Sequence, residues 1–499
     1  MAAAEQRLRS SSAATGRADG AAPLGDAFPL VAGRRVETDD VYAVRNPHDG
    51  TLVANVHRAG AGEIEVAIAA ADAAFETTRR LASYERADVL ERISAAIAGN
   101  REELARTIAL EAGKPLKTAR VEADRAAFTF KVAAEESKRI YGEIVPLDWL
   151  PETEGRVAHV RRIPLGPIAG ITPFNFPLNL VAHKVAPALA AGNPIVIRPA
   201  SQTPLSALRL GELVRDAGWP GGGMSVVPSA TETAAPLVED ERIKLLTFTG
   251  SPAVGWSLKG RAGRKRVALE LGGNAPVVVH ADADVAHAAE RVAWGGFVQS
   301  GQTCISVQRV YVHDAVYDAF AERLLDHVAK LVVGDPLDED TDIGPLIDDA
   351  AAERVEDWVD EAVGRGAEVL AGGSREGRTW QPTVLAGVGE ELRVSCQEAF
   401  APLVVLSRYT DPLDALQRAT TSRFGLQAGL FTNDLALVDE AFERLETGGL
   451  MINDVSTFRV DHMPYGGIKD SGAGREGLRY AIEEMTELKL LTFNRTRRL

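Results

Sequence analysis

The stretch KLLTFTGSPAVG, residues 244–255, decides the fold. An apolar run ends in threonine, glycine and serine, and Pro252 stands where a helix would begin. Strand, glycine turn and helix in that order form a mononucleotide-binding unit. GSPAVG is not the G-x-G-x-x-G fingerprint, and an isolated match of this kind is more often a plain turn. The weight therefore rests on what flanks it. Upstream, PIAGIT (167–172), NPIVIR (193–198) and SVV (225–227) read as buried strands. Between the last two, QTPLSALRLGELVRDAG (202–218) reads as a helix, with Thr203 placed as its cap, Pro204 in its first turn and Gly218 at its end. Downstream, RVALEL (266–271) and APVVVH (275–280) continue a sheet.

Strands alternating with helices along the chain give an α/β class with a parallel sheet. The pattern recurs from about residue 275 to 450, with a strand at RVYVH (309–313), a helix from Val316 to Leu331 and a strand at GLQAGLFT (425–432), which implies a second α/β lobe. A single helical reading covers Ser83 to Gly113, where Ala87, Leu90, Ile93 and Ile97 recur at helical spacing. YGEIVPLDWLPETEGRVAHVRRIPLG (141–166) has hairpin signals and ELKLLTFNR (487–495) is a terminal strand; exposed edges of this kind want a partner. Residues 1–25, rich in alanine, serine and arginine, read as a disordered tail; Glu5 and Asp19 weigh against a transit peptide.

The 499 residues carry a formal net charge of -15, which disfavours nucleic acid as a partner. No apolar run of about 18 residues is present, so no membrane span is expected. Two cysteines, Cys304 and Cys396, are too few for a secreted disulfide framework and point to a reducing cytoplasm. No metal site is expected.

Cys304 lies in GGFVQSGQTCISVQRVYVH (295–313), among glycine, glutamine, serine and threonine rather than inside an apolar run. That setting fits a reactive thiol as well as a packed one. Glu270 ends an apolar strand in LELGGN, where a buried carboxylate needs either a structural partner or a chemical task. Asn175, in PFNFP between a strand and a helix starting near Pro177, either turns the backbone or donates to an oxyanion.

In combination and order, PFNFP, IRPASQTP, FTGSPAVG, LELGGN, GQTCIS, QEAFAP and PYGGIKDSGAGREG resemble the aldehyde dehydrogenase superfamily, from about Asp26 to the C-terminus. The resemblance implies a Rossmann-type cofactor domain over 26–140 and 162–272, a second α/β catalytic domain over 273–465, and a small β oligomerisation element from 141–161 and 484–499, in a homodimer or homotetramer. It also implies oxidation of an aldehyde to an acid with NAD or NADP. Cys304 is then the nucleophile, forming a thiohemiacetal and then a thioester. Asn175 and the Cys304 backbone N–H hold the oxyanion, and Glu270 activates the water that releases the acid. Glu398 takes the nicotinamide ribose, with Phe400 packed nearby. Gly250, Ser251 and Gly255 lie near the pyrophosphate, with Thr172, Pro173, Phe174 and Leu271 alongside.

Some positions depart from the family pattern. Gln397 replaces a frequent acid and Ala401 a glycine. Arg198 replaces a lysine that usually bonds the adenosine ribose, and Ser201 stands where NAD-preferring relatives often carry a glutamate, which tilts the choice toward tolerating NADP. Two places that often hold aromatic rings for apolar aldehydes hold His183 and Arg459 instead. With Arg120 and Arg125 from a helix passing the entrance in relatives, they point to a short aldehyde bearing phosphate, phosphonate or carboxylate. This places the chain near the glyceraldehyde-3-phosphate, phosphonoaldehyde, lactaldehyde and succinate-semialdehyde branches. The alternatives are a neutral hydroxyaldehyde substrate, a cysteine esterase without redox role, acyl transfer to coenzyme A, and a non-catalytic protein that kept the fold; retention of Glu270 favours water over coenzyme A.

Overall fold

The computed structural model describes residues 24–495. The expected tail lies outside the described residues up to residue 23, as does 496–499 of the expected terminal element.

Five parallel strands build the first sheet. In spatial order they are Arg266–Glu270, Leu245–Thr249, Ile168–Ile171, Ile195–Arg198 and Met224–Val226. The chain lays down Ile168–Ile171, then two strands to one side, then two to the other. The order therefore reverses beside Ile168–Ile171, and a crevice opens at the carboxyl ends of the strands there. Gly472–Ala473 closes one side antiparallel to Arg266–Glu270, and Leu30–Val31 caps the other. The strands are buried on both faces because helices cover both, which is why they read as continuous apolar runs.

The second sheet has six parallel strands and an antiparallel edge strand, Glu368–Ala371. Its centre pairs Ala275–Val279 with Val307–His313 on one side and Gln427–Phe431 on the other. Only Leu271 to Asn274 separates the last parallel strand of the first sheet from the first strand of the second, so this link passes directly between the two crevices. A third sheet joins Glu143–Pro146, Arg156–Pro164 and Thr486–Asn494, all antiparallel.

Three helical expectations change. The run 83–113 is two helices, Ser83–Gly99 and Arg101–Ala112, broken at Asn100, whose side-chain amide donates back to the Ala96 carbonyl at 2.7 Å. An asparagine competing for its own backbone interrupts a helix that apolar spacing alone would continue. Helix Leu205–Asp216 is not capped by Thr203, which donates instead to the Phe174 carbonyl at 3.4 Å. Its first N–H groups, of Leu205 and Ser206, donate at 2.7 and 3.0 Å to the carboxylate of Glu111, buried on another helix. The helix expected from Val316 to Leu331 runs over Tyr317–Val328.

Candidate active site

One cavity of about 530 Å³ lies between the crevices of the two large sheets. It brings together Asn175, Glu270 and Cys304 with Pro173, Phe174, Gly250, Ser251, Leu271, Glu398, Phe400, Arg125 and Arg459.

Cys304 follows a strained turn. Gln299, Ser300 and Gly301 have φ of 57°, 54° and 65°, successive left-handed residues that are costly for the first two. The surroundings hold them there. Gln299 donates to the Asn175 carbonyl, Ser300 donates to the Gly344 carbonyl at 2.9 Å, and a Cβ at Gly301 would lie 2.0 Å from the Ala401 oxygen. Asn175 donates one amide N–H to the Gln302 carbonyl at 3.0 Å, which ties the turn to the end of the first sheet. The thiol sulfur of Cys304 sits 3.0 Å from the Tyr465 hydroxyl, and burial pushes the thiol up to about 11.

Glu270 is buried and one carboxylate oxygen has no partner. Burial, then the nearby Glu476, raise it well above the usual carboxylate range. Glu476 is held low, to about 2, by Lys184, His183 and Arg459. Lys184, buried, donates to the hydroxyls of Thr247 and Thr249 at 3.0 and 2.7 Å and lies 3.4 Å from Glu476.

The residues also fit a dinucleotide. Glu398 accepts from the Gly273 N–H at 2.9 Å, and burial lifts it to about 7. A Cβ at Gly272 would lie 2.4 Å from its other oxygen, and one at Gly273 would lie 2.1 Å from the Cys304 carbonyl, so both glycines are required by close approach. Phe174 and Phe400 meet edge to face at 5.8 Å. Ser251 precedes helix Pro252–Arg261 at the cavity wall. Thr172 Oγ1, Arg198 Nε and Arg354 Nε are buried without partners, polar atoms that a polar cofactor would answer. Gly255 does not line the cavity: its Cβ would lie 2.4 Å from Leu271, so it serves helix-on-strand packing. Arg198 donates to the Ser229 carbonyl and the Thr231 hydroxyl, both at 3.1 Å, and Ser201 is exposed.

The expected substrate residues divide. Arg459 and Arg125 line the cavity, Arg459 paired with Glu476 at 2.8 Å and Arg125 with Asp461 through two bonds at 3.1 and 2.6 Å. His183 lies outside the lining, buried and bonded to Asp461 at 2.8 Å; its helix, Asn179–Ala191, is buried at every residue. Arg120 is not brought to the cleft. Its guanidinium points away, pairing with Glu102 and Glu339 on the surface. The helix does pass the entrance, but five residues separate Arg120 from Arg125, more than one turn, and turn the two to different sides.

The sequence reading missed Lys184, Tyr465, Asp461 as an anchor, and Glu476. A lysine inside the apolar run NLVAHKVAPALAA was the available signal, because a buried ammonium needs partners.

The aldehyde dehydrogenase family model matches residues 35–491. This chain belongs to the aldehyde dehydrogenase family. It is 45% identical over 458 residues to the 3-sulfolactaldehyde dehydrogenase of Priestia megaterium, covering 92% of this chain and 96% of that one. Among solved structures it resembles aldehyde dehydrogenase 21 from Physcomitrella patens in complex with the reaction product succinate, at 45% identity and a TM-score of 0.93, covering 95% of this chain and 99% of that one. It also resembles a glyceraldehyde-3-phosphate dehydrogenase from Methanocaldococcus jannaschii complexed with NADP, at 38% identity and a TM-score of 0.88, covering 92% and 100%. It is an NAD(P)-dependent aldehyde dehydrogenase, oxidising a small aldehyde to the carboxylic acid. Among the described residues no helix is long and apolar enough to cross a membrane.

Proposed function

We propose that the aldehyde is short and carries an anionic group, a sulfonate, phosphate, phosphonate or carboxylate, at the end away from the carbonyl. The observation that carries this reading is that two guanidinium groups, Arg459 and Arg125, line the cavity that holds Cys304. Glu476 occupies one Arg459 nitrogen and Asp461 pairs with Arg125, and an anionic oxygen at the cavity face of either accepts a charge-assisted bond. The sulfonate of one relative's substrate and the succinate bound in another support the reading.

In the proposed mechanism, Cys304 adds to the carbonyl carbon, and the Asn175 amide donates to the oxygen that becomes negative. Bound NAD(P)+ supplies the hydride acceptor that leaves an acyl thioester on Cys304. Glu398 and the Gly272–Gly273 backbone would hold its ribose, with Phe400 and the Ser251 helix start lining the same cavity. Glu270, once ionised, takes a proton from water, and the resulting hydroxide expels the thiolate. We further propose self-association through strand Thr486–Asn494.

The test compares kcat/KM for anionic and neutral aldehydes of equal length, in the parent and in Arg459→Ala. The parent is expected to favour the anion. The variant should lower the anionic-to-neutral ratio by about 10- to 100-fold, the range of a lost charge-assisted bond. An unchanged ratio sends the substrate to the neutral hydroxyaldehydes.

A further inference from the structure

We propose that the Tyr465 hydroxyl is the hydrogen-bond donor that stabilises the Cys304 thiolate, with the Arg459 guanidinium stacked on the phenol ring to strengthen it. The proposal rests on Cys304 being the nucleophile. The Tyr465 oxygen is 3.0 Å from the Cys304 sulfur, and Tyr465 is only 2% exposed. Arg459 lies with its guanidinium carbon 3.6 Å from the ring centroid. A cation on the π face withdraws charge from the phenol and makes its O–H a better donor.

The geometry is fixed from behind. Tyr465 and Glu476 exchange backbone hydrogen bonds, N–H of each to O of the other, at 3.1 and 2.6 Å. The Glu476 carboxylate in turn holds Arg459 at 2.8 Å. Ring, cation and counter-charge are therefore one unit anchored by the loop 459–477, and the unit faces the sulfur. Burial raises Cys304 to about 11 and raises Tyr465 well above its usual value. When the thiol gives up its proton to water in the cavity, the phenol O–H, 3.0 Å away, is the donor within reach of the sulfur. A thiolate accepts such a bond strongly and the sulfur of a thiohemiacetal weakly. The bond thus sets how much thiolate exists at neutral pH and makes each thiolate somewhat less nucleophilic.

That pairing has a signature no packing role would give. Losing one charge-assisted bond raises a thiol by roughly one pH unit, which cuts the thiolate fraction about tenfold below its midpoint. Intrinsic nucleophilicity rises with thiol basicity with a slope of about 0.4–0.5, so each remaining thiolate reacts about threefold faster. In Tyr465→Phe the ring and its stack remain and only the hydroxyl goes. The experiment measures alkylation by iodoacetamide, in which the Cys304 sulfur bonds the carbon and iodide leaves, as a function of pH in a Cys396→Ser background, with the site confirmed by mass spectrometry. The expected result is a narrowing gap: Tyr465→Phe reacts about threefold more slowly than the parent from neutral pH upward, and the deficit shrinks as pH approaches the parent's midpoint, because the variant's own midpoint lies higher. Superimposable profiles, or a uniform fall at every pH, overturn the proposal. Should Tyr465→Phe fail to fold, Arg459→Met strips the cation from the ring and keeps the hydroxyl; its midpoint must also move up, and an unmoved midpoint overturns the role given to Arg459 and the stack. Cys304→Ser must abolish both labelling at position 304 and dehydrogenase turnover. Turnover surviving that change removes the nucleophile reading itself, a different failure from an unmoved pH profile.

Discussion

The water-activating role proposed for Glu270 falls to a carboxyl whose surroundings oppose ionisation. Its buried carboxyl, with one oxygen unpartnered, sits far above the ordinary carboxylate range because burial and the Glu476 charge both oppose ionisation. The packing around it leaves little slack, since a Cβ at Gly466 would lie 2.8 Å from its other oxygen. Deacylation needs the ionised form, so the rate should fall as pH drops through a midpoint well above that of an exposed glutamate. Single-turnover release of the acid at a series of pH values reads this limb directly. In Glu270→Gln the limb should vanish, and a burst of NAD(P)H should precede a slow steady state, with the acyl adduct on Cys304 visible by mass spectrometry. A folded, cofactor-binding variant with neither burst nor adduct would remove Glu270 from the water-activating role. Cys304 and Glu270 stood out in the sequence as candidates, each in a polar or glycine-rich setting that left a structural reading open, and only the combined motifs of the family resemblance gave them roles. Lys184 left a signal in its apolar run, but its partners did not, because they come from the 245–249 strand and from Glu476, and Tyr465 gains its meaning only from its contact with Cys304.

At the scale of elements, the start of helix Leu205–Asp216 shows what periodicity leaves out. Thr203 and Pro204 mark where the helix begins, but the donor groups of its first turn are satisfied by Glu111, 94 positions away from Leu205. Sequence spacing can locate a helix end and cannot name a capping group brought by another helix. Glu111 is buried and lifted to about 7, chiefly by desolvation. Its folded-state value lies above the unfolded value of about 4.5, so the native state holds the proton more tightly. The stability it contributes is therefore complete below about 4.5 and is lost as pH rises toward about 7. Glu111→Gln places an amide N–H₂ among backbone donors and should cost about 1–3 kcal/mol in acid, as an unsatisfied buried group does. Because glutamine does not titrate, the gap between parent and variant in urea unfolding should narrow between pH 4.5 and 7. A gap that widens with pH would mean that Glu111 caps the helix as an anion.

For the molecule as a whole, the α/β class and the near-continuous buried strands were legible. The order of the strands was not, since which strand follows Ile168–Ile171 on each side is set by crossovers that leave no local pattern. The terminal strand was legible as a strand and as an edge. Thr486–Asn494 pairs on one side with Arg156–Pro164 and is the last strand of its sheet on the other. Leu488 and Leu490 on one face, and Leu491 and Phe493 on the other, are 57%, 59%, 54% and 40% exposed. A nine-residue edge strand that exposes four large apolar side chains is an aggregation site unless something covers it, and a second copy of the chain is the cover that a symmetric assembly supplies. Light scattering at micromolar concentration is expected to give a mass of two or four chains. Replacing Leu490 with aspartate and Phe493 with lysine puts unlike charges on the two faces without touching either large sheet. The double variant should shift toward monomer, or precipitate where its remaining edge pairs wrongly, while its far-UV spectrum stays that of the parent. A parent that runs strictly as a monomer, or a double variant that keeps the full assembly mass, would move the self-association surface away from this strand.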